Sequence, residues 1–323
     1  MNVVFMGTPY FAVPTLQQLV DSEFKVTGVV CQPDRPQGRG QKIQIGPVKS
    51  LALARHIPIV QPLKMKDPAF LEILQSWNPE VLVVAAFGRI LPSQILQLPP
   101  RGCLNVHGSL LPKYRGAGPI QWAVINGDRE TGITIMKMDE GMDTGAILSQ
   151  ETVAIGPEET SGELGVRMAD VGGVLLLRTL RDWVAGGVSP QPQNDQKATL
   201  APLLKKEDGM LDWTLSAGEL ACRIRGLSPW PGAYTFFQKH RLVLWKAEKS
   251  DLGPDELGLG SDDTSVEPGT IIAVTKQRMF VKTGKGHLSI LELQPANKKR
   301  MPVDQFLAGH RLEPGMTFSN RSA

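Results

Sequence analysis

Asn105 and His107 stand two residues apart at the end of the apolar run Cys103-Leu104-Asn105-Val106-His107. In an extended strand that spacing puts both side chains on one face and turns Val106 into a core. A carboxamide N–H beside an imidazole suits a reaction in which the amide stabilises a developing oxyanion while the ring moves a proton at the same centre. Asp143 lies in the Gly-bracketed turn Asp139-Glu-Gly-Met-Asp-Thr-Gly145. Its carboxylate could orient that imidazole and favour its charged form. No Ser or Cys adjoins His107 in the chain, so the expected chemistry is acyl transfer without a covalent intermediate. A lone His after a buried strand is more often a structural group; the Asn two residues earlier and the turn carrying Asp143 reverse that preference.

These residues need elements to hold them. Apolar strand runs at Val3–Met6, Val26–Cys31, Pro58–Val60, Val81–Ala86, Cys103–His107 and Gly132–Met138 alternate with helical segments. The helices are expected after Gly7-Thr8-Pro9 through about Val20, near Val48–Arg55, at Pro68–Ser76 and Pro119–Asn126, and over about Ser161–Ala185. Thr160 or Ser161 caps the last, and Gly186-Gly187 stops it. Strands alternating with helices predict an α/β fold with a doubly wound, mostly parallel sheet. Ligands of such sheets sit beyond the carboxyl ends of the strands, where Phe87, Asn105 and His107 emerge. Gly7-Thr8-Pro9-Tyr10 follows the first strand but lacks GxGxxG, which argues against a dinucleotide.

At 323 residues the chain is long for one core, so two domains are expected. We read 1–189 as the sheet domain, 190–206 as a linker overlapping a stretch, Gly186–Ala201, rich in Gly, Pro and Gln, and 207–323 as a second domain. A short segment at Ser216–Arg225 is followed by strands at Ala233–Gln238, Arg241–Ala247, Gly269–Val274, Met279–Thr283 and Gly286–Leu293. Short strands at this spacing predict a small OB-like β-barrel. Residues 1–189 carry 17 Lys and Arg against 17 Asp and Glu, so the excess charge of +3 lies in the second half. Setting aside the acidic stretch 248–267, residues 190–323 hold 17 bases against 8 acids. A basic surface of that kind suggests a polyanionic partner. The plain alternative is an ordinary solvated face.

Cys31, Cys103 and Cys222 match neither a disulfide framework nor a zinc spacing, which favours a reducing compartment. His56, His240, His287 and His310 also lack metal spacing, and no metal is expected. There is neither a signal-like start nor an 18-residue apolar run. A cytoplasmic protein without membrane attachment is the expectation.

The stretch NVHGSLLPKYRGAGPIQWAVINGDRETGITIMKMDEGMDTG resembles the signature of the 10-formyltetrahydrofolate-dependent formyltransferases. The likeness extends over both domains, including QPDRPQGRGQKIQIGPVK and LQPANKKRM. It implies that Asn105, His107 and Asp143 are catalytic. Ser109, Leu110, Leu111 and Pro112 fall on the family's folate-binding tetrapeptide. Phe87, Gly88, Arg89 and Ile90, with Met138, Asp139 and Gly141, fall on segments lining the pterin pocket. The formyl donor would be 10-formyltetrahydrofolate, a co-substrate. The full-length likeness implies an enzyme acting on the amino group of initiator methionyl-tRNA; a monomer is a separate expectation. Transfer to a sugar nucleotide or glycinamide ribonucleotide amine, or hydrolysis of the donor, are the alternatives sharing this catalytic half. The insertion with Arg35, Arg39, Lys42 and Lys49 is then a basic loop for the acceptor end, rather than a solvated surface loop. Lys205, Lys206, Lys298, Lys299 and Arg300 would contact phosphates, supplying affinity more than sequence readout.

Overall fold

A computed structural model describes residues 1–37, 42–250, 252 and 265–319. The chain divides into two compact units. The first comprises residues 1–120, 130–154 and 163–202; the second comprises 121–129, 155–162 and 203–323.

The first unit is built on a seven-stranded sheet. In chain order its strands are β1 (Asn2–Gly7), β2 (Lys25–Val30), β3 (Ile59–Val60), β4 (Val81–Ala85), β5 (Cys103–His107), β6 (Glu130–Lys137) and β7 (Ile147–Ala154). Their spatial order is β3-β2-β1-β4-β5-β6-β7. The ladders are parallel from β3 to β5, then antiparallel from β5 to β6 and β6 to β7. Every residue of β4, Val-Leu-Val-Val-Ala, is buried, as expected of a central parallel strand covered on both faces. Burying each such aliphatic side chain contributes roughly 1.5–3 kcal/mol, which makes β4 a firm neighbour for β5. The polar edge strand β7 was not anticipated: Ile-Leu-Ser-Gln-Glu-Thr-Val-Ala buries only Leu148 and Val153, too weak an apolar pattern to mark a strand.

The helices are α1 (Val13–Val20), α2 (Pro47–Ala54), α3 (Pro68–Ser76), α4 (Ser93–Leu96), α5 (Pro119–Ile125) and α6 (Ser161–Ala185). Asp67 caps α3 by accepting from the Ala69 N–H, with Pro68 at the first helical position. A Cβ on Gly172 of α6 would come within 2.9 Å of Val106 Cγ1. The bare glycine lets α6 lie against β5, which fixes Val106 on the α6 side. Cys103, of opposite parity, packs in the cluster of Val4, Met6, Leu74, Leu82, Val84 and Ile95. Asn105 and His107 continue that second face past the end of the apolar cluster.

The second unit holds α7 (Ala217–Gly226) and α8 (Val303–Gly309). Its strands are β8 (Ala233–Phe237), β9 (His240–Ser250), β10 (Ile271–Val274), β11 (Met279–Lys282), β12 (His287–Pro295), β13 (Met301–Pro302) and β14 (Phe318–Ser319). The antiparallel path runs β10-β11-β12-β9-β8-β14, with β13 beside β12. Its two ends meet: Ile271 N–H donates to Met316 O, Gly315 N–H to Ile271 O and Phe318 N–H to Gly269 O, at 2.7–2.9 Å. The curled sheet therefore closes on itself through the segment leading into β14. Trp213 lies in its core, stacked on Phe318 and donating its indole N–H to Thr235 Oγ1. Ser216 and Glu219 form a reciprocal cap at the start of α7.

The stretch read as a linker is not uniform. Its residues through Pro202 belong to the first unit. Thr199 and Ala201 exchange backbone hydrogen bonds with Arg115, and Gly118 N–H donates to Ala201 O. Composition marked the absence of helix and strand there, but irregular chain can still be fully hydrogen-bonded.

Candidate active site

β5 delivers Asn105 and His107 to the same face, with Asn105 opposite Val84 and Met136 and His107 opposite Thr134. Asn105 is half-buried, whereas His107 is only 6% exposed. The His107 Nε2 atom lies 3.0 Å from the carbonyl oxygen of Tyr114. A carbonyl only accepts, so Nε2 carries the proton. Nδ1 faces Asp143 Oδ2 at 3.6 Å. One edge of the ring is thus anchored while the other looks at a carboxylate.

The turn after β6 places that carboxylate. Asp139 Oδ1 accepts from Gly141 N–H and Thr144 Oγ1. A Cβ on Gly145 would lie 1.9 Å from the Lys137 carbonyl, so the turn can close only on glycine. Asp143 itself has φ +55°, a left-handed conformation that Asp tolerates better than most residues. Its Oδ2 accepts from Gly116 N–H at 2.8 Å. The sequence-predicted trio is therefore linked on one side by the Asp143–His107 approach and on the other by the shared strand.

The expected folate segments are well defined. Ser109 is buried, its hydroxyl donating to Lys113 O. Thr134 donates to Ser109 O and accepts from Leu111 N–H, while Gln150 donates to Leu111 O. These bonds fix Ser109 through Pro112 beside His107. Phe87 puts its ring into the apolar core, so only its backbone faces the strand ends. Gln32 donates to the Phe87 and Gly88 carbonyls, and Arg89 donates to Leu63 O. Ile90 is 85% exposed. Ser93 donates to Glu140 at 2.6 Å, which brings the segment after Ile90 to the turn holding Asp139 and Gly141. Met138 is partly buried against the apolar cluster beneath them.

A cavity opens where the strand order reverses, beyond the ends of β1, β2 and β4. Thr8, Cys31, Gln32, Arg35, Lys49 and Phe87 are among the residues lining it. None of the trio lines this cavity. Burial pushes the Cys31 thiol up to about 12, and the buried Cys103 thiol likewise. Both stay protonated at neutral pH, consistent with chemistry lacking a thiolate nucleophile.

The expected phosphate contacts divide. Arg35 is exposed, and Arg39 lies outside the described residues. Lys42 belongs to a two-residue strand paired with Pro36–Gln37, and its side chain lies outside what is described. Lys49 is tied instead to Asp34 and Gln61, and hydrogen bonds from Lys49 first and then Gln61 hold the Asp34 carboxyl below its usual range. Lys205, Lys206, Lys298 and Lys299 are exposed. Arg300 pairs with Glu292 and covers the Trp245 ring. Reading the sequence missed Arg241, which stacks 3.9 Å above Tyr234. It also missed Gln193, which donates to Asp143 O, Arg115, which donates to Gln193, and Thr199, which accepts from Tyr114 N–H. A buried Arg shows no periodic signature, and Gln193 sits in a stretch whose composition signals only loop. Among the described residues no group of three or more His, Cys, Asp or Glu is placed to hold a metal. No helix there is long and apolar enough to cross a membrane.

Residues 1–180 match the family described as formyl transferase, and residues 203–311 match its C-terminal domain. Methionyl-tRNA formyltransferase of Syntrophus aciditrophicus (strain SB) is 47% identical over 315 residues, covering 98% of each chain. Among solved structures, methionyl-tRNA formyltransferase from Clostridium thermocellum superposes with a TM-score of 0.55 at 20% identity, over 78% of this chain and 95% of that one. HypX from Aquifex aeolicus in complex with tetrahydrofolic acid gives 0.58 at 15% identity, over 97% of this chain and 50% of that one. At these identities the two structures bear on the fold alone.

Proposed function

The chain belongs to the formyl transferase family, and we propose that it transfers the formyl group of 10-formyltetrahydrofolate to the amino group of initiator methionyl-tRNA. The observation that carries this reading is the 47% identity with a methionyl-tRNA formyltransferase across 98% of both chains. That likeness includes the second unit, which the reaction centre alone would not require.

In the proposed mechanism the neutral α-amine attacks the formyl carbon, and negative charge gathers on the formyl oxygen. Asn105 donates its amide N–H to that oxygen; removing one such donor typically costs on the order of 10²–10³ in rate. The bond from carbon to folate N10 then breaks. The proton lost by the amine reaches N10 through His107, directly or by water, so tetrahydrofolate leaves as a neutral amine. Asp143 orients His107 and compensates positive charge on it. Ser109, Leu110, Leu111 and Pro112, with the Phe87–Ile90 and Met138–Gly141 segments, hold the folate; no metal takes part. The geometry supporting the role of Asp143 is the buried His107 with one nitrogen anchored on Tyr114 O and the other facing Asp143.

Arg35, Arg39 and Lys42 address the acceptor end, and Lys205, Lys206, Lys298, Lys299 and Arg300 the phosphates. Arg300 must first leave Glu292, so it contributes less than its neighbours. The enzyme works in the cytoplasm as a monomer.

The deciding assay supplies formyl-labelled donor with charged initiator tRNA, charged elongator tRNA, an amino-sugar nucleotide and glycinamide ribonucleotide in parallel. Label should appear on initiator methionyl-tRNA. Label on a small amine, or formate release independent of acceptor, would overturn the reading.

A further inference from the structure

We infer that residues 191–201 form a strap that positions the His107–Asp143 pair, with Gln193 holding Asp143 and Thr199 holding the backbone that anchors His107. The Gln193 Nε2 group donates to Asp143 O at 2.8 Å and to Gly145 O at 2.7 Å. Its Oε1 accepts from Arg115 Nε and Nη2 at 3.1 and 2.8 Å. Arg115 can only donate and the two carbonyls can only accept, so this amide has a single workable orientation. Arg115 is 8% exposed, and its Nη2 also pairs with Asp195 at 2.7 Å. A buried guanidinium deprived of acceptors is costly, so Arg115 fixes Gln193 as firmly as Gln193 fixes the turn.

Further along the strap, Thr199 Oγ1 accepts from Tyr114 N–H at 2.9 Å. The Arg115 N–H donates to Thr199 O, and Ala201 N–H donates to Arg115 O. Tyr114 has φ +62°, a conformation rare for an aromatic residue. Its carbonyl is the one facing His107 Nε2. At the other end, Gln191 and Ile147 exchange two backbone hydrogen bonds, which ties the strap to β7. Both partners of the pair, Asp143 at its main chain and His107 through Tyr114, are therefore held by one segment.

The strap rests on the proposed roles of His107 and Asp143 and extends them. Gln193→Glu keeps the acceptor for Arg115 and the shape of the side chain, but faces the Asp143 and Gly145 carbonyls with a carboxylate. Because a displacement of about 1 Å costs about 10²-fold in rate, kcat should fall by roughly 10- to 100-fold. KM for both substrates should stay within about twofold, the signature of an effect confined to the transition state. Thr199→Val should lower kcat in the same way and Thr199→Ser should restore it.

The test is steady-state formylation by wild type, Gln193→Glu, Asp143→Asn and the double variant, with folding checked by thermal melting. If Gln193 acts through Asp143, the double variant is no slower than Asp143→Asn alone. Full kcat in Gln193→Glu, additive losses in the double variant, or a loss confined to KM would each overturn the strap. Full kcat in Asp143→Asn would instead overturn the catalytic reading on which it rests.

Discussion

The Asp143 turn and the exposed lysines of the second unit are both polar, yet they are built in opposite ways. Around Asp143 nearly every group has a fixed partner: Gly116 on the carboxylate, Gln193 on the main chain, Arg115 on Gln193. On the second unit Lys205, Lys206, Lys298 and Lys299 stand in solvent. Arg278 and Arg300 there pair with exposed or half-exposed acids. On the function proposed above, the first arrangement loses its purpose with a small displacement, because catalysis depends on placement. The second depends on how many charges face a phosphate chain, and tolerates local rearrangement. One region should therefore be sensitive to single isosteric changes and the other only to accumulated charge.

The largest effect expected from this contrast is on turnover. Asp143→Asn changes one atom type and preserves the shape of the turn, but it removes the charge facing His107. It should lower kcat by about 10² or more, the scale of a lost acid–base or charge-stabilising partner, with tRNA affinity intact. Equal losses in affinity and turnover would place Asp143 among the binding groups and blur the contrast.

Charge reversal on the basic face should do the converse. Lys298→Glu with Lys299→Glu should leave kcat unchanged at saturating tRNA while weakening binding. The slope of log affinity against log salt should become shallower by about 1 for every phosphate that the variant no longer neutralises. A control with Arg300→Ala should be milder, since Arg300 already has Glu292 as a partner. Salt-independent binding would show that the excess of bases in residues 190–323 outside the acidic stretch 248–267 has no part in holding tRNA.

The smallest expected effect lies on the sheet unit's surface. The guanidinium of Arg181 and a backbone N–H hold the Glu23 carboxyl at about 2, against an ordinary value of 4.5. Such a depressed acid stabilises the fold above its ordinary value, and that contribution is lost as pH falls from 4.5 through 2. Both groups are exposed, so the contribution is slight. Glu23→Gln should lower stability slightly at pH 7, where the contribution is fully present, and the deficit should vanish as pH falls from 4.5 through 2, making the acid unfolding curve marginally flatter in that window. A large change at pH 7 would show that this pair is structural.

How much could be read beforehand follows the same division. The strand through Asn105 and His107, the fully apolar β4 and the long α6 carry periodic or boundary signals, and they stand where the sequence put them. Asp143 was legible because glycines bracket it. Gln193, Thr199 and Arg115 were not, because irregular chain stabilised by side-chain-to-backbone bonds leaves no period in the sequence. Edge strand β7 escaped notice for a related reason, having little apolar surface to alternate. Lys49 shows the limit of reading charge: it looked like one of four loop bases, but Asp34 and Gln61 engage it.

The central claim is that Asn105 and His107 act on the formyl centre during transfer to methionyl-tRNA. Its most direct test is the single-turnover rate of formyl-methionyl-tRNA formation under saturating substrates, for wild type, Asn105→Ala and His107→Ala. Each variant should bind both substrates normally and transfer the formyl group at least about 10²-fold more slowly. Near-wild-type transfer by both would contradict the account.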